Sequence, residues 1–374
     1  MFVCGPTIQD YIHLGHARTY LFYDMLSRYL SYLGYSVSFV VNITDVDEGI
    51  VKGARARGLP LDEFTSKYER GFVEDMGKLG IKSVSHFDRV TSHIPEMIEQ
   101  VQGLLDSGHA SRVGGSVYFS IDTFPSFGQL SHQTPEEISL RPLEINQAKR
   151  NQADFSLWRA GSEDEQKWDG PWGHGTPGWH VQDTAVSQAY FGFHYDIHGG
   201  ARELIYPHHE SQIAQMEALS GERPFVNYWV HSGLLTQSKE KMAKSRGNAP
   251  RVRELLKDYE IGALRLYFLS MHHRKDSEFD EFRLKSWSEK HDDLLSGSER
   301  IMCKSSGKPG KRALTLPFVS ALNDDLHADK AIRYLVKSVE ERARQGNQWD
   351  AADAVSLLQA ASSVLGVEGL IARR

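Results

Sequence analysis

Two short segments hold the residue types most able to do chemistry. His13-Leu-Gly-His16 puts two imidazoles where an apolar strand gives way to a helix, and Lys241-Met-Ala-Lys-Ser245 puts paired lysines on a loop far downstream. A helix N-terminus offers unpaired N–H groups and a partial positive charge, and Gly15 permits close backbone approach. Imidazoles placed there could donate to phosphate oxygens as charge develops in a transition state. Lys241 and Lys244 could neutralise a triphosphate and then its pyrophosphate leaving group, with Ser245 and nearby N–H groups as further donors on a loop that closes over nucleotide. Alone, each segment is weak: a histidine pair also serves as a cap or surface feature, and basic loops are common. Found in this order in a divided α/β domain, they suit holding a nucleoside triphosphate while a carboxylate attacks its α-phosphorus.

The elements that must position these groups can be read in turn. Phe2 to Cys4 is an apolar run stopped by Gly5-Pro6. A helix is predicted from about His16 to Leu33, with Leu26, Leu30 and Leu33 at helical spacing and Gly34 as its stop. Val37 to Val41 is a β-branched run of the kind found in buried parallel strands, so strand, helix and strand form a βαβ unit. Residues 61–80 read as helical. From about His93 the texture changes to a helix, a strand at Val117–Ser120 and polar loops, which reads as an insertion. Phe193 to His209 reads as strand, glycine turn and helix start, and Val252 to Met271 as a helical surface.

The expected fold class is α/β: a split Rossmann-like parallel-sheet catalytic domain, an inserted α/β subdomain and a C-terminal helical bundle. The expected boundaries are 1–92 for the first half and 93–160 for the insertion. Residues 161–236 make the second half, and 237–303 the lysine loop with a connecting helical subdomain. A linker at 304–312 and a bundle at 313–374 follow. At 374 residues the chain exceeds one compact core. A net charge of −6 gives no global basic field for nucleic acid, leaving only local patches. Two cysteines, Cys4 and Cys303, exclude a disulfide scaffold and favour a reducing, cytoplasmic setting. No apolar run reaches membrane-spanning length, and the N-terminus lacks the pattern of a secretory leader. Trp158, Trp168 and Trp172 are expected in cores or at sheet edges.

A collinear string then carries a resemblance. Phe2-Val-Cys-Gly-Pro-Thr7, Asp10 to Arg18, Asn42-Ile-Thr-Asp-Val-Asp47, Pro177-Gly-Trp-His180, Phe193 to Gly200, Tyr206-Pro-His-His-Glu210, Asn227 to His231 and Lys241 to Ser245 together resemble the cysteinyl-tRNA synthetase family of class I aminoacyl-tRNA synthetases. The resemblance implies an ATP- and Mg-dependent ligase that forms an aminoacyl-adenylate and passes the aminoacyl group to an acceptor. It implies catalytic roles for His13, His16, Lys241 and Lys244. ATP contacts would come from these residues with Gly15, Gly199, Gly200, Glu203 and Met242, although the family usually carries aspartate at the position of Glu203. Amino-acid contacts would come from Cys4, Gly5, Thr44, Trp179, Asp183, His208 and Gln212.

Two departures qualify that expectation. The family holds zinc on two cysteines, a histidine and a glutamate. The corresponding positions here are Cys4, Asp183, His208 and Gln212. Zinc prefers thiolate and imidazole, so a carboxylate and a neutral amide weaken the set. Zinc loss and altered amino-acid specificity are expected, with Cys4, Asp183 and His208 as residual ligands and His180, His209 or Glu210 as substitutes. Second, too few residues follow the helical bundle for the family's anticodon-binding domain. The expected acceptor is therefore either a small amine or tRNA, the small amine slightly favoured. A truncated cysteine–tRNA ligase and a catalytically silent synthetase-like binding protein are the alternatives.

Overall fold

Strand β1 (Phe2–Val3) is fully buried and takes a parallel neighbour on each side: β2 (Val40–Ile43) with Phe2 opposite Val40, and β9 (Tyr195–Ala201) with Phe2 opposite His198. Strands covered on both faces need apolar side chains at successive positions, which Phe2-Val3 and Val40-Val41 supply. The five-stranded sheet runs β10-β9-β1-β2-β3, with β3 at His86–Arg89 and β10 at Val226–Ser232. The chain leaves β1 towards β2 on one side and arrives later at β9 on the other. The C-terminal end of β1 is thus a switch point, where open α/β sheets bind ligands.

The structure is a computed structural model. It describes the chain apart from residues 135–136, 139–148, 162–165, 238–239, 242–249, 305–316, 346–350 and 372–374. The expected 304–312 linker therefore lies outside the described residues except for Lys304. The described residues form two compact units, one of 1–10, 38–71 and 85–231, the other of 11–37, 72–84 and 232–374.

The first unit holds the parallel sheet and a second sheet ordered β4-β5-β6-β8-β7 (Ala110–Val113, Ser116–Phe119, Phe155–Ala160, Gly173–Pro177 and Trp168–Gly170). Its pairings are antiparallel. This sheet continues to Pro177, past the expected boundary at 160, because β6 pairs with β8. Trp158 and Trp172 pack edge to face within it at 5.6 Å, as core residues. Helices α2 (Glu48–Ala56) and α4 (Ile94–Asp106) belong to this unit, with α5 (Trp179–Phe191) and α6 (Glu210–Ser220). Asp47 caps α2 by accepting from Gly49 N–H at 2.6 Å. The expected glycine turn near Gly199 is instead the interior of β9: His198, Gly199 and Gly200 are buried in sheet. Helix α3 (Leu61–Lys78) runs from the first unit into the second.

The second unit is mainly helical. Helix α1 (Leu14–Leu33) starts two residues before the predicted start and ends where predicted, on Gly34 in the left-handed region at φ 102°. Asp24 is buried and meets Arg265 of α8 (Ile261–Leu269) at 2.5 Å; α7 (Val252–Leu255) precedes it. Arg265 also donates to the carbonyls of Leu79 and Leu365, so one buried pair ties α1, the end of α3 and the C-terminal end of α12 (Ala351–Leu365). Helices α9 (Glu281–Lys304), α10 (Pro317–Asn323) and α11 (Ala328–Gln345) complete this part. A small sheet orders β12-β11-β13 (Glu240–Lys241, Leu235–Gln237 and Ser277–Glu278). Among the described residues, no helix is long and apolar enough to cross a membrane.

Candidate active site

In the first unit, β1, β2 and β9 end side by side, and the chain just beyond β1 is stitched to β2. Thr44 N–H donates to the Pro6 carbonyl at 3.2 Å, and Ile8 N–H to the Thr44 carbonyl at 3.1 Å. Gly5 N–H donates to Asn42 Oδ1 at 2.7 Å. A Cβ on residue 5 would lie 1.5 Å from the Asn42 carbonyl oxygen, so only glycine fits there.

Cys4, Asp183, His208 and Gln212 converge under these strand ends, all buried. Asp183 sits three residues after His180 on α5, on the same helical face. Its carboxylate accepts from Asn42 Nδ2 at 2.9 Å and faces His208 Nε2 at 3.1 Å. His208 Nδ1 lies 2.9 Å from His180 Nδ1, and Gln212 Nε2 lies 2.9 Å from His208 Nε2. A carboxylate only accepts, so His208 carries its proton on Nε2 and accepts at Nδ1 from His180, and the Gln212 amide must turn its oxygen, not its nitrogen, to that N–H. Trp179 stacks on His208 with 4.2 Å between rings and remains 46% exposed, which leaves a free aromatic face above the polar floor. Thr44 is buried near Asn42, its Oγ1 3.4 Å from Asn42 Nδ2.

On the other side of Cys4 are two histidines. Its Sγ lies 3.3 Å from His198 Nε2 and 3.2 Å from His209 Nε2. His198 Nδ1 meets the Tyr195 hydroxyl at 2.6 Å, and His209 Nδ1 meets His231 Nε2 at 2.8 Å. Burial, then the Asp183 carboxylate, pushes the Cys4 thiol well above its ordinary range. Burial and neighbouring histidines push His180, His198 and His209 well below theirs, so all three are neutral.

Of the expected substitute ligands, His209 reaches Cys4. His180 reaches His208 instead, and Glu210 accepts from Gly128 and Ser131 N–H groups, each at 2.8 Å. Asn42, Tyr195, His198 and His231 all lay inside the motifs without an assigned role, because residue type alone did not link them to Cys4.

In the second unit, His13 caps α1: Gly15 N–H donates to His13 Nδ1 at 3.1 Å, and His13 N–H donates to His16 Nδ1 at 3.3 Å. With both Nδ1 atoms accepting, each neutral ring carries its proton on Nε2, the tautomer able to donate to an anion. Leu14 N–H donates to the Pro250 carbonyl and Val252 N–H to the Ile12 carbonyl, both at 3.2 Å, and His13 bridges Arg251. The chain leaving the lysine segment is thus bonded to the histidine turn. Lys241 lies in β12 opposite Thr236. The Lys241 side chain and the residues Met242, Lys244 and Ser245 lie outside what is described. Arg18 braces the start of β11 by donating to the carbonyls of Leu234 and Lys275. Gly199 and Gly200 lie in β9, and Glu203 in an exposed turn just after it.

The family profile described as tRNA synthetases class I (C) catalytic domain matches residues 1–289. The chain is 39% identical over 350 residues to the cysteine–tRNA ligase of Thermoplasma acidophilum, covering 93% of this chain and 77% of that protein. It is 39% identical over 376 residues to that of Alkalilimnicola ehrlichii, covering 98% and 80%. A Mycobacterium tuberculosis methionyl-tRNA synthetase with methionyl-adenylate shares the fold at TM-score 0.69 and 16% identity, covering 98% of this chain and 89% of that one. With a sequence match over most of its length and a fold that agrees, the chain belongs to the class I tRNA synthetases of the cysteine type and is an ATP-dependent ligase.

Proposed function

We propose that this ligase activates an amino acid with ATP, releasing pyrophosphate, and transfers the aminoacyl group to tRNA. The observation that carries the reading is the histidine turn: two rings fixed as Nε2–H donors at a helix N-terminus, hydrogen-bonded to the chain that leaves the lysine segment. His13, His16, Lys241 and Lys244 would stabilise charge on the triphosphate and its magnesium complex, with Gly15 and Met242 beside them. Gly199, Gly200 and Glu203 would contact the adenosine. Cys4, Gly5, Thr44, Trp179, Asp183, His208 and Gln212 would receive the amino acid. The relatives are cysteine–tRNA ligases, which supports tRNA as acceptor and gives the small-amine reading no support.

The zinc that the family resemblance implies does not fit the corresponding positions. Three donors, from Cys4, Asp183 and His208, lie within 4.8 Å of one another. Yet a carboxylate and a neutral amide stand where the resemblance implies a thiolate and a carboxylate, and the Asp183 carboxylate is already engaged by Asn42 and His208. Gln212 offers only a neutral amide beside the same ring, a weak zinc ligand.

A second reading, a side chain other than cysteine, is favoured by Asp183 and Gln212, a buried carboxylate and a buried amide where the resemblance implies a thiolate and a carboxylate. Polar groups there suit a substrate side chain that can hydrogen-bond. Amino-acid-dependent ATP–pyrophosphate exchange over a panel, followed by charging of total tRNA, tests both. Exchange with a polar amino acid supports the second reading, and exchange with cysteine alone removes it. The absence of exchange with every amino acid rejects the activation itself, and exchange without charging rejects tRNA as acceptor.

A further inference from the structure

Arg18 stands two residues after His16 on α1 and is buried, a costly place for a permanent charge unless its donors are engaged. Its guanidinium reaches three backbone carbonyls. Nη1 donates to Leu234 at 2.5 Å, and Nη2 donates to Lys275 and, at 3.3 Å, to His272. These carbonyls belong to two segments far apart in sequence, the approach to β11 and the approach to β13. The two segments are themselves closely bonded. Gly233 N–H donates to the His273 carbonyl at 2.6 Å, Leu234 N–H to Asp276 Oδ1 at 2.8 Å, and Ser277 N–H to the Leu234 carbonyl at 3.0 Å. A Cβ on residue 233 would lie 2.3 Å from the Lys275 carbonyl oxygen, so the backbones meet with no room for a side chain. One residue beyond Arg18, Thr19 Oγ1 lies 2.9 Å from Ser232 Oγ. Strand β11 then pairs with β12, placing Thr236 opposite Lys241. Downstream, the Pro250 carbonyl and Val252 N–H bond to Leu14 and Ile12. The chain is therefore fastened beside the histidine turn both before and after the lysine segment.

We propose that Arg18 is a positioning residue for the activation step: it fixes the strand pair that carries Lys241 to the helix that carries His13 and His16. The inference rests on the reading that those residues act on the triphosphate, and it assigns Arg18 a role exerted through backbone carbonyls. Arginine suits the task because its planar fork serves Leu234 with one terminal nitrogen and Lys275 and His272 with the other. A lysine ammonium is a single point on a flexible stem and cannot span the same targets. Hydrogen-bond donors at backbone carbonyls also hold in register a ladder of very short strands, since β12 and β13 have two residues each. Displacing Lys241 by about 1 Å can cost about 100-fold in rate. Charge on the departing pyrophosphate develops in the transition state, so the loss falls on kcat rather than on KM.

ATP–pyrophosphate exchange by the full chain, with the amino acid that supports it, tests the assignment in R18K, T19V and K241A. R18K should lower kcat about 100-fold while KM for ATP and for the amino acid moves less than about 3-fold. T19V removes only the bond to Ser232 and should lower kcat about 3- to 10-fold, the worth of one neutral hydrogen bond, with KM unchanged. K241A should lose about 100-fold or more. Unchanged kcat in R18K beside an impaired K241A overturns the role of Arg18 alone. Undiminished exchange in K241A rejects the lysine reading, and the inference with it. A fall in kcat in R18K matched by equal rises in both KM values and a lower melting temperature makes Arg18 a purely structural residue and also overturns the inference. Should R18K fail to fold, T19V decides, and unchanged kcat there has the same force.

Discussion

The Tyr195 hydroxyl lies 2.6 Å from His198 Nδ1, three residues away on β9, and both side chains are buried. That contact holds the ring whose Nε2 lies 3.3 Å from Cys4 Sγ. In Y195F the ring loses its outer partner and Nδ1 is left buried without it. Stability, read by denaturant titration, should fall by about 1–3 kcal/mol from the unpaired ring nitrogen. Unchanged stability would mean that the Tyr195 hydroxyl does not support His198.

His13 both caps a helix and presents an Nε2–H. Asparagine caps as well but lacks the imidazole. H13N should therefore melt within a few degrees of the parent while ATP–pyrophosphate exchange drops about 100- to 1,000-fold. A parallel fall in melting temperature and rate would instead make His13 a structural residue.

Two glycines should respond to alanine with opposite sign. G5A drives a Cβ into the Asn42 carbonyl oxygen, and at least about 3 kcal/mol of stability, or soluble expression itself, should be lost. G77A, at an exposed position in α3 with nothing within 4 Å of the new Cβ, should gain about 0.5–1 kcal/mol. Denaturant titration reads both.

Burial raises the Asp24 carboxyl, but Arg265 and Arg28 outweigh it and hold the group below its usual range. R265M leaves that carboxylate buried beside Arg28 alone and should cost about 3–5 kcal/mol. D24N combined with R265M should recover part of the loss, because the orphaned charge goes with it.

Acid should destabilise the second unit through His273, which stacks on Phe22 with 4.6 Å between rings and is pushed down to about 4, first by burial and then by His272. Its neutral form is the folded one, and its unfolded pKa is about 6.5. Its contribution is therefore complete above that value and is lost as pH falls towards 4. The melting temperature should decline across that window, and the decline should be shallower in H273F. Equal slopes would assign the acid limb to other groups, His272 among them.

Much was legible in the residues because it is local. The stop at Gly34, the buried run ahead of Gly5 and the histidine turn depend on neighbours a few residues apart. The partners of Cys4 were not legible, because His198 comes beneath it through the pairing of β1 with β9, almost two hundred residues apart, and no periodicity encodes that register. Gly199-Gly200 reads as a turn in sequence for the same reason: glycine is permissive, and only the neighbouring strand shows that it serves close sheet packing here. Asn42 looked like one polar residue in a strand until its amide was seen holding both Gly5 and Asp183.

Glu210 joins α6 to the turn at Gly128–Ser131 through both of its carboxylate oxygens. His208 and His209 immediately precede it in the chain. Whatever shifts that turn must either break two charge-assisted bonds or drag the histidines along. The inserted segment and the pocket floor are thus mechanically geared, so a load borne by one would be felt as a change of aim in the other.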